Sequence, residues 1–237
     1  MATTLTHNPE AATTNTTTPW RPKAIVFDLL TALLDSWSLW DASTPSGTPE
    51  EGHRWRVRYL EITFGAGAYV PYEDLVRQSA RDVGLPDSAP RNLLDSWDVG
   101  LKAWPEVADV LQRLKAKGYV LGVLTNCSVD LGHAAARQAE VGILSQSGGG
   151  SVFDKVITAE ESGFYKPRKE AYQAIMTAMA LTPEQILFVA GSAGDVEGAT
   201  NAGMKVVWHN RVGLAKKGHA VPLKEAANLD AALEGFL

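Results

Sequence analysis

The feature that most constrains this chain is a set of short apolar runs, each of which stops at polar residues. KAIVFDLL breaks at Asp28, YVLGVLTN ends at Thr125 and Asn126, QILFVAGS ends at Ser192, and KVVWHN closes on Trp208, His209 and Asn210. VFDKVIT, over 152–158, is a less apolar member of the set. Short runs rich in Val and Ile and flanked by glycine read as strands buried on both faces. Helical patterns lie between them. PEVADVLQRLKAKG opens with Pro105, spaces Val107, Val110, Leu111 and Leu114 along one face, and ends at Gly118. The stretches 129–140, 169–180, 195–202 and 222–236 take the same role, and Thr182 caps the short turn before Ile186. Strand and helix in alternation predict an α/β fold: a doubly wound parallel sheet, right-handed crossovers, helices on both faces.

One segment breaks the alternation. Between Asp28 and Pro105 no buried strand is legible, while WRVRYLEITF and YEDLVRQSARDVG carry helical spacing. The expectation is a helical insertion, a cap domain over 36–103, lying across the carboxyl ends of the strands. The core domain then comprises 23–35 and 104–237. Residues 1–22, rich in Thr, Asn, Ala and Pro, read as a disordered tail, and SGGGS at 147–151 reads as a surface loop.

Composition narrows the function classes. The 237 residues hold 22 Lys and Arg against 27 Asp and Glu, a net charge of −5, with no basic cluster to bind nucleic acid. One cysteine, Cys127, excludes a disulfide framework and a cysteine zinc site. No apolar run approaches the length of a membrane span, and no secretory signal is legible. The expectation is a cytoplasmic protein with no membrane or nucleic-acid partner.

Ligands of a doubly wound sheet sit beyond the carboxyl ends of its strands. The polar residues at those ends are Asp28, the pair Thr125 and Asn126, Lys166 in the loop after the 152–158 run, and Asp195 in AGSAGD. Each alone has a plain structural reading: Asp28 and Asp195 as caps, Thr125-Asn126 as a turn, Lys166 as a solvated loop lysine. Together they bring two carboxylates, an ammonium and a hydroxyl–amide pair to one edge. A carboxylate kept ionised by a lysine is a competent nucleophile.

The motifs FDLLTALLD, LTNCS, FYKPRKEAY and FVAGSAGDVEGATNAG resemble those of the haloacid dehalogenase-like hydrolases over roughly residues 23–215, with the pattern of the L-2-haloacid dehalogenase branch. The resemblance implies a Rossmann-like core with a helical cap, and attack by Asp28 to form an ester with its own carboxylate. It implies a small 2-substituted carboxylic acid as substrate, water as co-substrate, and no cofactor. It also implies that Thr125 and Asn126 hold the substrate carboxylate and leaving group. Lys166 would be the active-site lysine, with Tyr172 six residues later, and Asp195 would orient Lys166 and the hydrolytic water. Arg56 in WRVRYLE would cradle the departing anion, with a salt bridge to Glu61 as its structural alternative. A homodimer remains open.

Departures from the family pattern set the expected chemistry. The phosphatases of this superfamily carry an acid two residues after the nucleophile and a magnesium-binding acid four residues before the position of Asp195. Here those positions are Leu30 and Gly191, so metal-free attack on carbon is expected over phosphate-ester hydrolysis, with no metal bound. The family's threonine four residues past the nucleophile is Ala32, with Thr31 one position earlier. Ala190, Ser192 and Gly194 replace Ser, Asn and an aromatic, which points to a remodelled leaving-group pocket. Trp37 and Trp40 follow the first motif, either as packing or as faces for an ammonium group. The second use, with DSWSLW and the RWRVRYLE region, is similar to azetidine-2-carboxylate hydrolase, which cleaves a strained carbon–nitrogen bond by the same ester route. A magnesium phosphatase and a non-enzymatic binding module on the same scaffold are the remaining readings. His7, His53, His133, His209 and His219 lack metal-ligand spacing, and neither a nucleophile elbow nor a P-loop is present.

Overall fold

The computed structural model describes residues 20–144 and 150–237. Most of the loop expected at 147–151 and most of the N-terminal tail therefore lie outside the described residues. Trp20 donates its indole N–H to the Glu184 carbonyl at 3.0 Å and Arg21 lies 4.6 Å over the Tyr119 ring. The last residues of the stretch read as a tail thus pack on the core.

In chain order, β1 (Ala24–Phe27) is followed by five helices: α1 (Ser36–Ala42), α2 (Pro49–Ala66), α3 (Tyr72–Asp82), α4 (Ser88–Asp95) and α5 (Trp97–Gly100). Alternation then resumes with α6 (Val107–Ala116), β2 (Val120–Thr125), α7 (Val129–Leu144), β3 (Lys155–Thr158), α8 (Ala159–Ser162) and α9 (Lys169–Met179). The chain closes with β4 (Ile186–Ala190), α10 (Ala193–Asn201), β5 (Lys205–His209), β6 (Lys224–Ala226) and α11 (Leu229–Ala232). All strand pairs are parallel, in the order β3-β2-β1-β4-β5-β6. The strand order reverses between β1 and β4, so the end of β1, where Asp28 sits, is the topological switch point.

Every residue of β1 and β4 is buried. Successive side chains of a strand point to opposite faces. Ile25 and Phe27 accordingly join the apolar layer that includes α6, α7 and the insertion, while Ala24 and Val26 join the layer under α9 and α10. The insertion's Trp40, Trp55, Tyr59, Tyr72 and Trp97 are continuous with the first layer, so helices and sheet share one core. At the base of the insertion Leu34 bridges Ala103, with Asp35 N–H donating to Lys102 O at 2.7 Å and Trp104 N–H to Leu33 O at 3.0 Å.

The helix carrying most of the insertion's chemistry is α2. Pro49 occupies its first turn with Glu50 and Glu51, both favourable at the positive end of the helix dipole, and Gly67 at φ +72° stops it. Its buried residues Gly52, Trp55, Arg56, Tyr59 and Thr63 fall three and four apart, on one face. That face is polar as well as aromatic because it looks onto the ends of the strands.

Three expectations need correction. The closing stretch 222–236 is not a helix: it holds β6 and the single turn α11, because Val207–His209 leave an open strand edge that Lys224–Ala226 pair with. Trp208 therefore lies within the fifth strand, not at the end of the last one. The 152–158 run yields only the short β3; Glu140 takes up the backbone N–H groups of Val152 and Phe153 and holds them out of the ladder. Among the described residues no helix is long and apolar enough to cross a membrane.

Candidate active site

Asp28 follows the last residue of β1 and is nearly sealed from solvent, 6% exposed. Its Oδ2 accepts three hydrogen bonds from the next turn: Thr31 Oγ1–H at 2.6 Å, Thr31 N–H at 3.1 Å and Ala32 N–H at 3.2 Å. Asp28 is thus both the cap of this turn and a site residue. Its Oδ1 accepts from Lys166 Nζ at 2.8 Å, and the same ammonium donates to Asp195 Oδ2 at 3.1 Å. Lys166 is 1% exposed and Asp195 2%. The three charges expected at the sheet edge form one buried chain.

Burial disfavours both carboxylates in their charged form, but one lysine cannot compensate both equally. At Asp28, burial is outweighed by Lys166 and the Thr31 donors, and the carboxyl titrates below its ordinary value. At Asp195, burial and the neighbouring Asp28 prevail over Lys166, pushing it up to about 6. Burial alone would lower Lys166; the charges of Asp195 and Asp28 hold it above its ordinary value instead.

The remaining strand-end residues divide by task. Thr125 Oγ1 is buried without a partner and lines the cavity above Asp28. Asn126 also lines it, yet its amide is engaged with the backbone of Lys166: Oδ1 accepts Lys166 N–H at 2.8 Å and Nδ2 donates to Lys166 O at 3.1 Å. Ser192 caps α10, accepting Asp195 N–H at 3.3 Å and donating to Asp195 Oδ2 at 3.3 Å, so the helix cap is Ser192 and not Asp195. Tyr172 does not reach the cavity. Its buried hydroxyl donates to Asp195 Oδ1 at 3.3 Å from behind, with its ring against Phe188.

From α2, Arg56 enters the lining of the same cavity. Arg56 is 1% exposed and among the described residues no carboxylate pairs with it; the salt bridge to Glu61 is made by Arg58 instead. One Nη donates to Ser36 Oγ at 3.3 Å, while Nε and the other Nη have no partner. Its charge is faced by rings: Trp40 at 4.8 Å, Tyr59 at 5.1 Å and Trp37 at 5.8 Å. Trp37 and Trp40 do not line the cavity. They back Arg56, and Trp37 stacks on His53.

The family model of haloacid dehalogenase-like hydrolases matches residues 22–203. The chain belongs to that family. Among the haloacid dehalogenase-like hydrolases, an (S)-2-haloacid dehalogenase of Pseudomonas putida is 31% identical over 201 residues, covering 80% of this chain and 85% of the relative. Another, from Pseudomonas sp. strain YL, is 30% identical over 226 residues, covering 90% and 94%. The crystal structure of an L-2-haloacid dehalogenase superposes with a TM-score of 0.76 at 25% identity, over 91% of this chain and 98% of that one.

Some members of this hydrolase superfamily use magnesium, so the fit of these residues to a hydrated divalent cation matters. Lys166 already bridges the two carboxylates, and Asp28 Oδ2 is saturated by three donors. No acid fits at Gly191 either, because a Cβ there would lie 2.2 Å from Thr31 Oγ1 and 2.5 Å from Ala32 N. Leu30, two residues after Asp28, is apolar and lines the cavity. Among the described residues no group of three or more His, Cys, Asp or Glu is placed to hold a metal. The residues present do not fit the cation.

The sequence reading missed Ser36, Tyr59, Leu60, Thr63 and Phe64. The last four share a face of α2 with Arg56, at spacings of three, four, seven and eight, so the helical period of WRVRYLEITF carried the signal. Ser36, whose hydroxyl donates to Leu30 O at 2.5 Å, had no sequence signal. Cys127 is fully buried and its thiol is pushed well above the usual range by that burial, which suits packing rather than attack. His209 is also buried, its Nδ1 2.7 Å from the Ala32 carbonyl behind the site.

Proposed function

We propose that this hydrolase converts a 2-halocarboxylic acid to the 2-hydroxy acid through an ester on Asp28, with the helical insertion acting as the cap that closes the site. The observation that carries the reading is Arg56: a fully buried guanidinium, unpaired by any carboxylate, facing a lysine-held carboxylate across one cavity. A guanidinium keeps its charge when buried, and an uncompensated buried charge costs several kcal/mol, so its placement calls for an anionic ligand. The relatives' dehalogenase activity supports the same assignment.

Asp28 Oδ1, with one hydrogen bond against three on Oδ2, is the oxygen free to attack. It displaces halide from carbon 2 from the rear, forming the C2–O ester bond as the carbon–halogen bond breaks, with inversion at carbon 2. The halide leaves with the bonding pair toward Arg56, whose open N–H groups receive it. Thr125 Oγ1, unpartnered and buried, holds the substrate carboxylate. Water then adds to Cγ of Asp28, passing its proton to Asp195. The charge that develops on Oδ2 falls where three donors already point, a preformed oxyanion hole. Collapse breaks the Cγ–Oδ1 bond, the departing alkoxide takes the proton held by Asp195 to give the 2-hydroxy acid, and loss of the remaining proton to solvent restores the Asp28 carboxylate.

The ring-opening alternative needs open aromatic faces for an ammonium leaving group. Here Trp37, Trp40 and Tyr59 face the Arg56 guanidinium, which repels such a group and attracts halide. The test is single turnover with a 2-bromoacid in ¹⁸O-water. Heavy oxygen appears in the Asp28 carboxylate and halide release is unaffected by chelator. Label found only in the product, or activity abolished by chelator, refutes the mechanism. Ring opening of azetidine-2-carboxylate to an open-chain amino hydroxy acid, with no halide release from bromoacids, would select the other bond.

A further inference from the structure

Beside the reaction cavity lies a second chamber, roomier than the first. Its walls are mostly apolar, with Val57 of α2, Ala193 at the start of α10, and Leu214 and Ala215 in the loop after β5, while His53 and Lys217 are its titratable members. Leu60, Phe64 and Ser192 belong to both cavities, so the two are neighbours across that partition. Gly194 makes the partition possible. A Cβ at that position would stand 2.6 Å from the Phe64 ring, so the ring packs where a side chain from the strand-end motif would otherwise project.

The walls of the reaction cavity leave few orientations for a substrate. Asp28, Lys166 and Asp195 supply its buried charge cluster, Thr125 and Asn126 neutral polar lining, and Arg56 a further charge from α2. A carboxylate and a leaving group fill the polar directions. The apolar lining is Leu30, Leu60 and Phe64, and of these Leu60 and Phe64 border the larger chamber.

We propose that this chamber receives the carbon-2 substituent, so that the preferred substrates carry an extended alkyl chain in place of the methyl group of a 2-halopropionate. The proposal rests on the dehalogenase reading and adds to it the class of acid accepted. Burying each further methylene in an apolar wall raises kcat/KM by up to about fourfold.

Halide release is measured with racemic 2-bromopropionate, 2-bromobutanoate, 2-bromohexanoate and 2-bromooctanoate. The native enzyme shows kcat/KM rising along the series. Val57→Trp, which fills the chamber, lowers the ratio of hexanoate to propionate kcat/KM by about tenfold. Leu214→Trp, on the half-exposed loop across the chamber, does the same and serves if Val57→Trp does not fold. A series that falls with length from an active 2-bromopropionate overturns the chamber assignment and leaves the dehalogenase reading standing. So does a uniform loss on all homologues in both filled variants. No halide from any homologue overturns both.

Discussion

Lys166 is the one cation between two buried carboxylates, and Lys166→Met tests the charge balance of the site directly. The substitution keeps an unbranched chain of similar length and removes the ammonium that lies 2.8 Å from Asp28 and 3.1 Å from Asp195. Breaking a buried pair from one side costs about 3–5 kcal/mol, since the remaining charge stays desolvated. For a domain of this size that corresponds to roughly 6–20 °C in Tm. The pH dependence distinguishes this cause from lost packing. In the native protein Asp28, lowered on folding, contributes stability above its unfolded value and loses it as pH falls. Asp195, raised to about 6, works in the opposite sense, its ionisation opposing folding as pH rises from 3.8 to about 6. Without Lys166 both carboxylates are raised, so the folded state binds more protons than the unfolded one and stability falls as pH rises. Urea unfolding of native and variant protein between pH 5 and 8 therefore shows a deficit that is largest at pH 8 and mostly regained at pH 5. Activity is absent throughout. A deficit of the same size at every pH, or none at pH 8, refutes the electrostatic account.

Because Asp195 must be ionised to take the proton of water as the ester is hydrolysed, kcat falls about tenfold per unit as pH drops below about 6, and a kcat profile flat to pH 5 removes Asp195 from that role. Arg56→Met lowers kcat/KM by about 10²–10³ while leaving stability unchanged or slightly raised, because it removes a buried charge that no carboxylate balances; a loss of several kcal/mol in urea unfolding would make Arg56 structural instead. Thr31→Val deletes the 2.6 Å bond to Asp28 Oδ2 and keeps the two backbone donors, so kcat falls by about 10–100-fold and KM falls with it as the ester accumulates. A normal kcat would show that this oxygen does not carry the developing charge. Tyr172→Phe, which touches Asp195 only from behind, moves the acid limb of the pH profile rather than KM for the bromoacid; an increase in KM alone would place Tyr172 against the substrate.

The residues at the carboxyl ends of the strands were legible because a parallel sheet forces them there. Asp28, Thr125 and Asn126 each follow an apolar run whose length and composition already specify a buried strand. Lys166 and Asp195 were read from position and meet as expected, at distances no sequence states. Two roles changed on folding. Asn126, still at the cavity wall, turns its amide to the Lys166 backbone, and Tyr172 reaches Asp195 from outside the cavity. The closing segment was misread for a related reason. Its apolar spacing is compatible with a helix, and only the open edge of β5 draws Lys224–Ala226 into the sheet.

Local pattern, then, was sufficient for whatever depends on neighbours in the chain: alternating strands and helices, the helical insertion, the charged residues at the strand ends, and an Arg on an α2 face of fixed period. Contacts between distant segments were decided by packing. That Phe64 stands in the space Gly194 leaves, that Ser36 and three aromatic rings hold Arg56, and that the reaction cavity has a larger neighbour all follow from how α2 settles on the sheet. A helix's period says which side chains share a face; only the burial of that face against another surface says what they meet.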